Sequence, residues 1–236
     1  MNAKQENIGK THSPIRRPII LTLISLIFGG VLLLIGGRWD WIQGWLMSGL
    51  YLIIMVGGSV WTEIYSPEMS KERTKAVTNP HNLHERIMLI WIPFLLLLII
   101  IVSALDGGRY QWSQIPLWLN IIGFLLFMIY FILNMWAAVT NTFLSATVRL
   151  QEDRGQYVVE GGIYRFVRHP MYLGLCLLGI GLPFGLGSWY GLIPGGLFIL
   201  TFIYRTNQED QFLQENLPGY IEYTKKTRYR LFPGIW

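Results

Sequence analysis

The chain has 236 residues, 52% hydrophobic and 14% charged, with a formal net charge of +5. Soluble domains carry about 25% charged residues, so this composition argues against a water-soluble globular protein. No zinc-finger, Gly-rich RNA-binding or basic-helix pattern accompanies the positive charge, which argues against a nucleic-acid partner and for basic loops at a membrane surface.

Residues 1–17 read as a polar tail, with no small-residue cleavage site after the apolar run that follows. The N-terminal membrane region spans 18–148. Pro18–Gly37, Trp41–Trp61 and Ile87–Leu105 are free of charge, each near the ~20 apolar residues that cross a bilayer. Arg38-Trp39-Asp40 joins the first two runs, and so short a link permits only a tight antiparallel pair. Trp39, Trp41 and Trp45 suit the interfacial aromatic belt. The connector 62–86 is charged, with room for a short helix at Glu68–Val77 between Pro67 and Pro80. It reads as a solvated or interfacial segment, or else as a lid over a substrate path. His81 and His84 beside Glu85 are too few for a metal site.

The third run ends at Asp106-Gly107-Gly108-Arg109. Tyr110–Val148 is then uncharged. At ~1.5 Å per residue it would reach about 58 Å as one helix, nearly twice the ~30 Å hydrocarbon core. One crossing over Pro116–Ala138, with a surface continuation, is expected. Asn134 and Asn141 are placed to share a helix face, as interhelical hydrogen-bond partners or facing a polar cavity.

The third region is 149–236. A polar loop, Arg149–His169, leads into another uncharged stretch, Met171–Tyr204. That stretch is too long for one crossing and is broken at Pro183–Ser188, so a helical hairpin turning near Gly185–Ser188 is expected. The whole reads as an all-α integral membrane protein of about six spans. With both termini cytoplasmic, every Lys and Arg except Arg38 and Arg109 falls on the cytoplasmic side, as the positive-inside rule asks. The lone cysteine, Cys176, lies in an apolar run and reads as a small buried hydrophobe.

The residues with chemical potential collect on that side. Arg165, Arg168 and His169 stand at the mouth of a hydrophobic segment, and Pro170 suits the first helical position. The free N–H groups of that helix start favour a carboxylate-bearing ligand. Tyr172 and Gly174 fall in its first turn. Arg205, Glu209 and Asp210 follow the hairpin. Arg before Glu at i,i+4 is the weaker order for helix support, which favours a polar pocket. Tyr220 and Tyr223 share a face of a short helix with Thr227; they pack over an adenine-like ring or sit in the interface, and the sequence leaves both open.

Arg168-His169-Pro170-x-Tyr172-x-Gly174, the hairpin, an acidic pair, Gly219-Tyr220-x-x-Tyr223 and Arg230-Leu231-Phe232-Pro233 together resemble the isoprenylcysteine carboxyl methyltransferase family and its phospholipid methyltransferase relatives. The resemblance covers about residues 155–236. It implies S-adenosylmethionine as methyl donor and a lipophilic acceptor reached from the bilayer, an isoprenylcysteine carboxylate being the best-known case. By the same resemblance, Arg168, His169, Tyr172, Gly174, Tyr220 and Tyr223 serve the cofactor. Glu209 and Asp210 lie near its charged groups, and Arg205 and Glu209 stand at the reaction centre. The family pattern carries two glutamates where this chain has Glu209-Asp210, so Asp210 keeps the charge with a shorter reach. Alanine at Arg205 or Glu209 is expected to abolish turnover in a folded protein.

Two rival readings are weighed. NADPH-dependent membrane sterol-type reductases also carry Arg-His-Pro-x-Tyr but usually place Asn where this chain has Met171. A transporter or scaffold would need ionisable groups inside the spans, and few are there.

Overall fold

In hydrocarbon a backbone must satisfy its own hydrogen bonds, which leaves helices as the outcome for long apolar runs. The computed structural model describes residues 16–65, 83–145, 147 and 149–236, and among them there are helices and no strands. The tail up to residue 15 and most of the 62–86 connector, with Glu68–Val77 and His81, lie outside the described residues.

The main helices are α1 (Arg16–Gly36), α2 (Ile42–Tyr65), α3 (Leu83–Ser103), α4 (Leu117–Thr140), α5 (Pro170–Leu186), α6 (Leu192–Asn216) and α7 (Tyr220–Lys226). Among the described residues, four segments are by themselves long and apolar enough to cross a membrane: Pro18–Gly36, Ile42–Thr62, Leu83–Tyr110 and Leu117–Thr140. Helix α5 is apolar but only 17 residues long, and α6 runs on past its apolar half into Arg205–Asn216. Ile27, Leu34, Ile53, Ile90 and Leu117 are each at least 65% exposed. Such a surface is tolerable only against lipid, and the protein is an integral membrane protein.

Small residues set how close the helices come. A Cβ on Gly123 of α4 would fall on the backbone of Gly185 in α5, and Gly179 of α5 lies against the Gly195 carbonyl of α6. Backbones meet this closely in membranes because packing, not hydrophobic expulsion, drives helix association there. Gly174 belongs to the same set. Its Cα faces the Asn134 side chain and the Tyr130 carbonyl of α4.

The contacts divide the bundle into two ends. At one, Gly36 and Trp41 meet Gly108, and Gly107 meets the carbonyls of Leu186 and Gly187. Here the third run does not stop at Asp106. It continues as a π-helical turn, Ala104–Tyr110, with Asp106 wholly buried. The Asp106 carboxylate accepts from Ser113 N (2.8 Å), Ser113 Oγ (2.6 Å) and Ser188 Oγ (2.6 Å). These donors replace water, and that is how a charge read as a loop residue ends inside. The candidate site lies at the opposite end.

The expected asparagine face does not form. Asn134 donates to Tyr130 O of its own helix at 3.0 Å. Asn141 is the C-cap of α4 with extended backbone, so it has left the helix face that Asn134 shares.

Candidate functional site

The loop before α5 is tied down by the end of the chain. Arg168 N donates to Tyr229 O at 2.9 Å and His169 N to Arg230 O at 3.0 Å. Pro170 then opens α5 with His169 as N-cap, where proline's missing N–H costs nothing. Helix α7 docks through its tyrosines: Tyr223 OH donates to Tyr164 O at 2.7 Å, and Thr227 Oγ1 to the same carbonyl at 3.1 Å.

Asp210 is the junction of these parts. Its side chain is 0% exposed and pairs with Arg168 Nη1 at 2.9 Å and Arg230 Nε at 2.9 Å. Tyr220 OH donates to it at 3.1 Å and Gln214 Nε2 at 2.8 Å, with His169 Nε2 at 3.4 Å. Burial alone would raise this carboxyl. The hydrogen bond and charge of His169, with Arg168 and Arg230, outweigh it and hold the group below the usual carboxylate range. Burial first, then the charges of Asp210 and Glu209, push the Tyr220 phenol well above its ordinary value.

Glu209 is adjacent in sequence but turned about 100° around α6, and it meets different groups. It accepts a short hydrogen bond from Tyr172 OH. Arg205 Nε donates to the same hydroxyl at 3.0 Å, and Arg205 Nη2 to Glu85 Oε2 at 3.1 Å. A continuous chain, Glu209–Tyr172–Arg205–Glu85, therefore links α6, α5 and α3. Glu85 was not foreseen as a site residue. The available signal was its position in the first turn of the third span, at the same bundle end as Arg205.

Two clefts flank this chain. The first is lined by Arg168, His169, Tyr172, Glu209, Tyr220 and Tyr223, together with Asn141, Thr147 and residues of the 156–159 loop. The second is lined by His84, Glu85, Tyr204, Arg205, Gln208 and Glu215. Of the residues expected to meet a cofactor, six thus share one cleft and two do not. Asp210 is sealed behind the cleft wall, and Gly174 serves the α4–α5 contact.

The first cleft suits a polar ligand with an aromatic part. Thr147 Oγ1 and Arg168 Nε are buried without hydrogen-bond partners among the described residues. Unpaired buried polar atoms are rare in folded proteins and fit a ligand with acceptor groups. Glu209 offers a carboxylate to a cation, and Tyr220 and Tyr223 offer ring surface. Arg205 is 5% exposed and paired with Glu85. Its alanine variant would break a buried ion pair as well as remove a site group, so it tests stability along with function.

The fold and the clefts define a helical integral membrane protein with its chemistry at one end of the bundle. Residues 118–218, from the start of α4 to the end of α6, match the family model described as phospholipid methyltransferase. That segment is similar to the phospholipid methyltransferases, a group of membrane methyltransferases. Helix α7 and Arg230 lie beyond the matched residues. Comparison with curated proteins gives no match.

Proposed function

We propose that the protein transfers a methyl group from S-adenosylmethionine to a lipophilic acceptor that reaches the site from the bilayer. The observation that carries this reading is the single cleft shared by Arg168, His169, Tyr172, Glu209, Tyr220 and Tyr223, next to a second cleft reached through Arg205. The donor, when bound, supplies a methyl group on a positively charged sulfur. Glu209 attracts that charge. Thr147 Oγ1 and Arg168 Nε supply hydrogen bonds to the donor's polar groups, and the tyrosine rings cover its base. Tyr172 and Arg205 form the wall between the two clefts.

Transfer breaks the sulfur–methyl bond as an acceptor heteroatom bonds to the same carbon from the opposite side. Such an in-line step needs little acid–base help. Positioning alone can supply about 7–11 kcal/mol of barrier reduction, and the hydrogen-bonded chain Glu209–Tyr172–Arg205–Glu85 orients these groups. The motif resemblance implies a carboxylate of isoprenylcysteine type as acceptor. We further propose that α5 and the apolar half of α6 form two short crossings, that the site faces the cytoplasm, and that both termini lie on that side. This layout is supported by the distribution of lysine and arginine.

Calorimetric titration with S-adenosylhomocysteine, and in parallel with NADPH, tests the reading. Saturable S-adenosylhomocysteine binding is expected, weakened about tenfold or more in Glu209→Gln by loss of a charge-assisted contact. NADPH binding without S-adenosylhomocysteine binding would move the protein to the reductases and refute the proposal.

A further inference from the structure

The bundle end that carries the clefts also carries cations that the protein leaves unpaired. Arg165, Lys225 and Arg228 are exposed, and no carboxylate among the described residues pairs with any of them. Lys226 differs, because its Nζ is held by Glu160 Oε2 at 2.7 Å. Glu222 is the acidic residue of α7 and is exposed, so three free cations face one carboxylate. The opposite end shows the contrast. Arg38 meets both carboxylate oxygens of Asp40, at 3.0 and 2.7 Å, and Arg109 Nη2 donates to Leu34 O at 3.0 Å.

The three cations share one surface. Thr227 Oγ1 lies 3.1 Å from Tyr164 O and 3.4 Å from Arg165 O, and Arg168 N donates to Tyr229 O at 2.9 Å. These contacts set Arg165 and Phe166 beside Arg228 and Tyr229, with Lys225 in the last turn of α7. Apolar groups interleave with the charges: Phe166 is 61% exposed, Ile221 50% and Tyr229 38%. The height of this surface follows from Gly162, which opens the short 3₁₀ turn ending at Arg165. A Cβ there would fall 2.6 Å from Thr140 Oγ1 and 3.1 Å from Trp136 Nε1, at the end of α4 where that helix leaves the hydrocarbon.

Water would wet Phe166 and Ile221, and acyl chains would strand the cations. The headgroup layer of a negatively charged leaflet suits both, since rings enter the boundary with the chains while arginine and lysine meet lipid phosphates. We propose that the surface formed by Arg165, Phe166, Ile221, Lys225, Arg228 and Tyr229 docks on the headgroups of anionic phospholipids. Arg168 and His169 hang from the same surface through Tyr229 O and Arg230 O, so docking holds the first cleft at the headgroup layer. This inference does not depend on the methyl-transfer reading.

The test places an environment-sensitive nitrobenzoxadiazole label at Ile221→Cys in a Cys176→Ala background. The protein is set in lipid nanodiscs of phosphatidylcholine alone or mixed with phosphatidylglycerol. A blue shift of the label is expected in the anionic discs and not in the neutral ones. It should collapse at about 1 M salt, where the screening length is about 3 Å. Arg165→Gln, Lys225→Gln and Arg228→Gln should each lower the ratio of docked to undocked label about fivefold, the worth of one basic residue at an anionic surface. Lys226→Gln, whose charge Glu160 already holds, should lower it less. Melting temperatures should match the parent protein, because these exposed side chains anchor nothing. Equal emission in neutral and anionic discs overturns the proposal, as do single Gln variants that dock like the parent. A polyglutamate peptide that shifts the label in neutral discs as strongly as phosphatidylglycerol does would point to an acidic protein partner and overturn it too. Failure of S-adenosylhomocysteine to bind would overturn the methyl-transfer reading and leave this inference standing.

Discussion

Replacing Asp210 by asparagine removes one charge and almost no volume, at a point where four parts of the chain meet. The carboxylate is 0% exposed and faces Arg168, whose side chain is 8% exposed, and Arg230, at 25%. Removing one partner of a buried ion pair costs about 3–5 kcal/mol, because the remaining charge stays desolvated. Arg230 can turn to water, so the cost falls mainly on Arg168. For a chain of this size, about 1 kcal/mol moves Tm by roughly 2–4 °C, so Asp210→Asn should lower Tm by about 6–20 °C. Tryptophan fluorescence during heating in detergent measures it. S-adenosylhomocysteine affinity should fall as well, because Arg168, His169 and Tyr220 lose their common anchor. Glu209→Gln should lose affinity at unchanged Tm, since Glu209 is partly exposed and anchors no arginine of the C-terminal segment. An Asp210→Asn protein that melts like wild type yet binds no S-adenosylhomocysteine would refute the reasoning. It would return Asp210 to direct contact with the ligand.

Further consequences concern pH and packing. Because the Asp210 carboxyl is held below its ordinary value, its stabilisation is present above about pH 4 and is lost as pH falls through the folded-state value; Asp210→Asn should lack that acid limb in Tm against pH. Tyr220 runs the other way. The folded state keeps a proton that the unfolded chain releases above about pH 10, so stability falls as pH climbs past that point, and Tyr220→Phe should flatten the alkaline limb. Superimposable limbs in variant and wild type would count against these assignments. Gly123→Ala drives a Cβ into the backbone of Gly185, where no side chain can give way, and should cost about 1–3 kcal/mol by thermal unfolding. Gly49→Ala meets nothing within 4 Å and should be neutral or slightly stabilising, as alanine generally is in a helix.

How far the sequence reaches is seen residue by residue. Helix α5 begins at Pro170 and α4 at Leu117, where local rules place them. The adjacent acids Glu209 and Asp210 looked like one site feature, and the structure separates their roles by one step around α6. Gly174 offered room for a ligand or for another backbone, and in the structure the Asn134 side chain and the Tyr130 carbonyl of α4 come close to it. Glu85 looked like a connector charge and turns out to hold Arg205, far away in sequence.

What the sequence determined by itself was the solvent and the local conformation. Uncharged runs with lipid-length reach must be helical, and a proline at the end of a polar loop starts a helix where it stands, because both follow from backbone hydrogen bonding over a few residues. The tertiary structure alone decided which charges face each other. A carboxylate's role depends on its direction around a helix and on what a distant segment brings to it. Asp106, Asp210 and Glu85 are all acidic residues near helix ends, and only packing sorts them into a loop clip, a junction for the C-terminal segment and a partner for Arg205. Desolvation makes each of those pairings obligatory once the bundle has closed.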